Sequence, residues 1–332
     1  MATDGDKPNN EITPFLKSKG YDEKAIQELF KKCKALHHAD SKNAEANWDY
    51  LTTIGIQERK LPHVISKCPK ILTLDHEERL VPTVQCLLTL GSKPGDVGAA
   101  VVKFPNILCH SVDEKLCPLL AFFQSLGVSD KQIGKLLLFN PRLVSYSIET
   151  KFSKVVEFLA SLGFDKGEHI GKILNKDPFI VGYNVEKRLR PTTEFLKSIG
   201  LGEQEIRRVV LNFPEVLSRD VDKILRPNLA FLKRRGFSNG EITLLVSGYP
   251  PILIKSVKNS LEPKIKFLVE EMGRQVAEAA EYPQFFGHGL KKSLEFRHKV
   301  LKERNMSCSL SEMLGLNQKK FAAKYGLVAG IC

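Results

Sequence analysis

The stretch Leu189-Arg-Pro-Thr-Thr-Glu-Phe-Leu-Lys-Ser-Ile-Gly200, followed by Leu201 to Phe213 and then Pro214, decides how the rest of the chain is read. Its apolar residues fall at 189, 195, 196 and 199, the spacing of a helix with one buried stripe. Gly200 ends that helix, because glycine takes the left-handed C′ conformation without steric cost. The next segment puts Ile206, Val209, Val210 and Phe213 on one stripe, and Pro214 stops it, lacking an N–H and disfavouring helix in the residue before it.

The same punctuation recurs outward in both directions. Prolines close a hydrophobic stretch at 69, 105, 141, 178, 214, 250 and 283, and glycines stand at 20, 55, 91, 127, 163, 200, 236 and 273. Both columns keep a period of 36 or 37 residues along most of their length. Six residues after each closing proline comes Asp75, Ser111, Ser147, Asn184, Asp220 or Ser256, each a good helix N-cap. Glu78 and Glu114, three residues later, are expected to complete capping boxes. A second proline follows at 82, 118, 191, 227 and 263, with Lys154 in its place in one unit. It either kinks one helix or opens a second after a short capped turn.

Each unit is thus two helices and a linking turn, and neither helix can bury its stripe without neighbours. The expected fold class is all-α, a helical repeat solenoid. The expected organisation is a disordered N-terminus over 1–10, about seven to eight repeats over 11–286, and a divergent basic cap over 287–332. The phenylalanine column 15, 122, 158, 195, 231 and 267 shares the stripe with leucine and isoleucine, so it reads as core packing and not as a base-stacking platform.

Composition narrows the function. The formal charge is +12. Residues 1–150 carry 19 Lys/Arg against 18 Asp/Glu and residues 151–332 carry 31 against 20, so the excess sits in the second half, +11 against +1. A clustered positive field favours a polyanionic partner. Seven cysteines, odd in number and without a C-x-x-C pair, read as buried thiols, neither disulfides nor zinc ligands. No apolar run is long enough for a membrane span, so no membrane partner is expected. The first ten residues hold acids and no arginine, unlike a typical transit peptide.

No phosphate loop, dinucleotide fingerprint or H-E-x-x-H motif occurs, and His37-His38 reads as a surface pair. No enzyme, cofactor or metal is expected. Basic residues, by contrast, form columns. Arg79, Lys115, Lys151 and Arg188 lie three residues before the second proline or its replacement, with Lys223 and Arg226 flanking that place in the next unit. Lys135, Lys172 and Arg208 form a second column after the glycine. Equal places in stacked units share a face, so each column is expected to make a positive ridge. Denser clusters stand at Lys187-Arg188-x-Arg190, at Arg234 and Arg235, and at Lys291, Lys292 and Arg297 on an expected helix from about 290 to 304. Such density suits phosphate contact, which supplies affinity without sequence information.

The unit Leu225-Arg-Pro-Asn-Leu-Ala-Phe-Leu-Lys-Arg-Arg-Gly236, with Asn212-Phe-Pro-Glu-Val-Leu217, resembles the repeat of the mitochondrial transcription termination factor family. Lys115 and Arg188 match that motif's cation, and Tyr282-Pro-Gln-Phe-Phe-Gly-His-Gly-Leu290 resembles its closing segment. The wording around Ile65-Ser-Lys-Cys-Pro-Lys-Ile-Leu72 is similar to short plant members directed to chloroplasts or mitochondria. The resemblance implies a basic groove binding double-stranded DNA, as a monomer, in organellar transcription termination. Other members act on structured RNA, in intron splicing or tRNA maturation. A protein-binding scaffold is the third expectation.

Overall fold

The computed structural model describes residues 11–90 and 93–325, and among them every regular element is helical. The expected tail over 1–10 lies outside these residues, as do Gly91 and Cys332. The chain forms two compact units, one of residues 1–157 and 165–182, the other of 158–164 and 183–332.

The glycine column does what its chemistry predicts. Gly20, Gly55, Gly127, Gly163, Gly200, Gly236 and Gly273 all have φ between +65° and +97°. The closing prolines do more than stop a helix. Pro69, Pro105, Pro141 and Pro283 each begin a five-residue 3₁₀ turn, as in Pro69–Thr73 and Pro105–Cys109, where a missing N–H costs nothing. All six predicted N-caps accept from the amide three residues on, from 2.7 Å at Asp75 to 3.3 Å at Ser111. The reciprocal carboxylate bond expected of Glu78 and Glu114 is formed instead at other helices, from the Ser238 amide to Glu241 (2.7 Å) and from the Ser309 amide to Glu312 (2.9 Å).

The second proline sits inside one continuous helix, two residues beyond a single π turn. His76–Leu80 runs into Val81–Thr89, Val221–Leu225 into Arg226–Arg234, and Leu290–Glu295 into Phe296–Glu303. The amides of Leu80, Leu116, Leu225 and Leu261 reach back five residues, to Asp75, Ser111, Asp220 and Ser256, at 2.9 to 3.2 Å. A wider turn leaves room for the proline ring and spares the amide that proline lacks. Yet the π turn persists where Lys154 or Phe296 replaces proline. What all these turns share is the side chain they bury: Leu80, Leu116, Phe152, Leu189, Leu225, Leu261 and Leu294 are at most 1% exposed. Each such burial contributes about 1.5–3 kcal/mol, so packing fixes the turn and proline tolerates it.

The phenylalanine column packs as core at Phe15, Phe158, Phe195 and Phe231, while Phe122 and Phe267 are half-buried. The cysteines depart from expectation. All six described are free, but only Cys68 is buried, and Cys117 is exposed.

A second glycine column escaped the sequence reading. Gly98, Gly134 and Gly171 lie inside second helices, where a Cβ would stand 2.5, 2.3 and 2.3 Å from the carbonyl oxygens of Ile54, Leu90 and Leu126. These carbonyls end the preceding first helices, so the backbones touch there. In the second compact unit the equal places hold Arg207 and Thr243, which donate to the carbonyls of Gly163 (2.7 Å) and Ile199 (2.8 Å). Gly134→Ala is therefore expected to cost about 1–3 kcal/mol by overpacking. Gly95→Ala, in a helix with nothing within 4 Å of the new Cβ, should gain up to about 1 kcal/mol from helix propensity. Urea unfolding of both variants checks the pair.

Candidate nucleic-acid interface

Whether a cation can meet phosphate depends on what it already holds. The column before the second proline is largely committed to groups at a helix start, its own or the next unit's. Lys115 Nζ donates to the Tyr146 carbonyl at 2.6 Å, and Lys151 Nζ lies 5.5 Å from the Tyr146 ring centre, its pKa lowered by burial. Arg188 Nη1 pairs at 2.8 Å with Oδ2 of Asp220, the N-cap of the next first helix. The Lys223 amide, and then Arg188, hold the Asp220 carboxyl below its usual range. Lys115 and Arg188 thereby tie one unit to the helix start of the next, whereas Lys151 lies over the tyrosine that precedes its own helix. Arg79 keeps the same place but is exposed.

A parallel set is deeper still. One residue beyond the second-proline place, Asn228 Nδ2 donates to the carbonyls of Leu253 (2.9 Å) and Lys255 (2.8 Å). Lys264 Nζ reaches the Phe286 carbonyl (2.7 Å), and Arg297 Nη1 reaches that of Met313 (2.7 Å). Near the N-terminus Asn47 donates to the carbonyls of Ile71 (3.0 Å) and Leu74 (2.7 Å) in the same manner. Three of these carbonyls, Ile71, Leu253 and Phe286, belong to the 3₁₀ turns that open at a closing proline. Arg297, expected to contact phosphate, is thus corrected to a structural residue. It is 8% exposed, with its guanidinium 4.7 Å from the centre of the Phe321 ring.

Several cations stay at the surface but carry an acid. Lys172 pairs with Glu168 at 2.7 Å, Arg190 with Glu186 at 2.8 Å and Arg226 with Asp222 at 2.8 Å, all four residues apart on one helix. Arg190 also covers Phe158 and Arg226 covers Phe195, at 5.7 and 5.8 Å from the ring centres. In the following unit that place is Glu262, which pairs with Arg235, and Arg235 lies over Phe231 instead. Exposed pairs of this kind contribute about 0–1 kcal/mol, and their acids offset the local field.

What remains is Arg79, Lys135, Lys187, Arg208, Lys223, Arg234, Lys291 and Lys292. All are exposed, and none makes a side-chain hydrogen bond or ion pair among the described residues. Lys187 and Lys223 hold the same place, three residues after the N-caps Asn184 and Asp220. Lys135 and Arg208 both lie six residues before a closing proline. No group of three or more His, Cys, Asp or Glu that could hold a metal occurs among the described residues, and no helix there is long and apolar enough to cross a membrane.

Burial, with Lys255 nearby, pulls the Lys264 pKa down to about 8 from 10.5. Between those values the unfolded chain keeps a proton that the folded protein has released, so stability rises with pH. The contribution of Lys264, read in urea as the difference in unfolding free energy between the wild-type chain and Lys264→Gln, should therefore climb from pH 8 towards 10. Above pH 10 the sign reverses for Tyr21, whose pKa burial raises from 10.0 to about 12, because the unfolded chain then loses its proton first.

Two comparisons bear on this arrangement. The mTERF family profile matches residues 3–124 and 110–322. A protein of Arabidopsis thaliana, "Transcription termination factor MTERF6, chloroplastic/mitochondrial", is 66% identical over 314 residues, 94% of either chain. With the proline and glycine columns placed as described, the chain belongs to the mTERF family.

Proposed function

We propose that the chain is an organellar transcription factor that binds double-stranded DNA through its uncommitted cations and acts in termination as a bound obstacle, without catalysis. One observation carries this reading. After the cations spent on carbonyls, caps and neighbouring acids are set aside, exposed lysines and arginines still recur at equal places in the repeat, Lys187 with Lys223 in successive units and Lys135 with Arg208 two units apart. A repeat that keeps a free cation at a fixed place offers phosphates a regular series of partners. The relative's name supports the role in termination and the chloroplast or mitochondrion as its place.

Phosphate pairing of this kind gives affinity but no base code. Replacing Lys187, Arg208, Lys223 and Arg234 together by Glu should lower duplex affinity by at least about 100-fold and flatten the logarithmic salt dependence by about 0.9 for each phosphate no longer neutralised. Arg297→Met should lower stability and leave the salt slope of the folded protein intact. Fluorescence anisotropy on labelled duplexes between about 50 and about 200 mM salt measures both. Unchanged affinity in the fourfold variant sinks the reading. In the same titrations, a structured RNA of matched length that outcompetes the duplex would move the role to RNA maturation. Retention of neither nucleic acid would favour a protein-binding scaffold.

A further inference from the structure

Cys68 and Cys109 belong to successive repeats of the first compact unit, and their sulfurs lie 3.4 Å apart. Cys68 is the residue before Pro69 and caps the turn Pro69–Thr73, while Cys109 ends the turn Pro105–Cys109. Two turns that must pack for the units to stack thus bring together thiols 41 positions apart in sequence. Both cysteines line a cleft of about 590 Å³, open to solvent, that Lys32, Cys33, Lys67, Lys70 and His110 also line. No carboxylate lines it among the described residues. The site combines a preformed pair of sulfurs, a route for a small solute and a positive wall.

We propose that Cys68 and Cys109 form an oxidisable dithiol, which a hydroperoxide converts to a disulfide joining two successive repeats. The Cys68 thiolate attacks the O–O bond. A sulfur–oxygen bond forms, the O–O bond breaks, and the leaving oxygen takes a proton to depart as water or an alcohol. Cys68 is then a sulfenic acid. Cys109, giving up its proton, attacks the Cys68 sulfur; the S–S bond forms, the S–O bond breaks, and water leaves. Two thiols supply the two electrons that reduce one hydroperoxide.

The surroundings set the order of attack. Either sulfur can donate across the 3.4 Å contact; with the Cys109 thiol as donor the Cys68 pKa is lowered against the opposing effect of burial, with the amides of Ile71 and Lys70 and the Lys70 ammonium adding to the lowering. The same hydrogen bond, with burial, drives the Cys109 pKa up. Cys68 is the attacking thiolate and Cys109 the resolving thiol. The linkage closes a long loop, which restrains the unfolded chain and raises the melting temperature.

The test uses the full reduced chain with hydrogen peroxide, followed by alkylation of free thiols and digestion without reductant. Mass spectrometry should find the Cys68 and Cys109 peptides joined and lighter by two hydrogens, with two of the seven thiols consumed on titration and the melting temperature moved upward. Cys109→Ser should stop the reaction at Cys68 and leave a dimedone adduct there. Cys68→Ser should abolish the joined peptide. Three results would overturn the proposal: no joined peptide from the wild-type chain, a linkage between other cysteines in its place, or dimedone labelling of Cys109→Ser only at cysteines other than Cys68.

Discussion

Stacked helical units bury their chain reversals, and each reversal presents carbonyls that its own helices leave without a donor. Burying such a group unpaired costs about 1–3 kcal/mol, so the neighbouring unit must supply the hydrogen bond. In four units of this protein the donor comes from one place in the repeat, just beyond the second-proline position, and these donors differ in reach; in another unit Lys115, three residues before that proline, serves the Tyr146 carbonyl. Asn47 and Asn228 meet two or more carbonyls each, whereas Lys264 and Arg297 meet one through longer side chains. Arg207 and Thr243 serve the ends of preceding first helices, where Gly134 and Gly171 instead let backbone meet backbone. Net charge therefore overstates what the surface offers a partner, because part of it is spent inside.

This constraint explains what could be read from the chain and what could not. The prolines at 69 and 105 and the glycines at 200 and 236 were legible because each restricts its own backbone, whatever surrounds it. The N-caps were legible for the same reason, since Asp75 or Ser256 serves amides three residues away. Gly98, Gly134 and Gly171 were not, although they keep the repeat's period. A helical glycine with ordinary φ has no local motive, and its reason is a carbonyl of another unit. The π turn was equally hidden, because its cause is the burial of Leu80 or Leu225 against neighbours and not the proline beside it.

The candidate interface was legible by column but not by residue. Arg188 and Lys187 are adjacent in sequence and alike in charge, yet one is bound to Asp220 and the other stands in solvent. Nothing local separates them; only the position of the next unit's N-cap does. Arg297 is the sharpest instance, for it lies in the densest basic run of the chain and still points inward to the Met313 carbonyl. A side chain with a long apolar stem and a donor at its tip suits both a phosphate and a buried carbonyl, so residue type alone cannot choose.

The division of labour also bears on how the repeat could tolerate change. A cation held by Asp220 or by the Phe286 carbonyl is fixed by geometry, and its replacement disturbs the junction between units. An exposed one such as Lys223 or Arg234 is fixed only by the field it adds, and a substitution there leaves the hydrophobic and carbonyl contacts intact. The same repeat can thus keep its fold under strict local rules while its surface charge is retuned unit by unit. The thiol pair falls on the strict side of that boundary: Cys68 and Cys109 meet because two proline turns pack, so any chemistry between them reads directly on how adjacent units are joined.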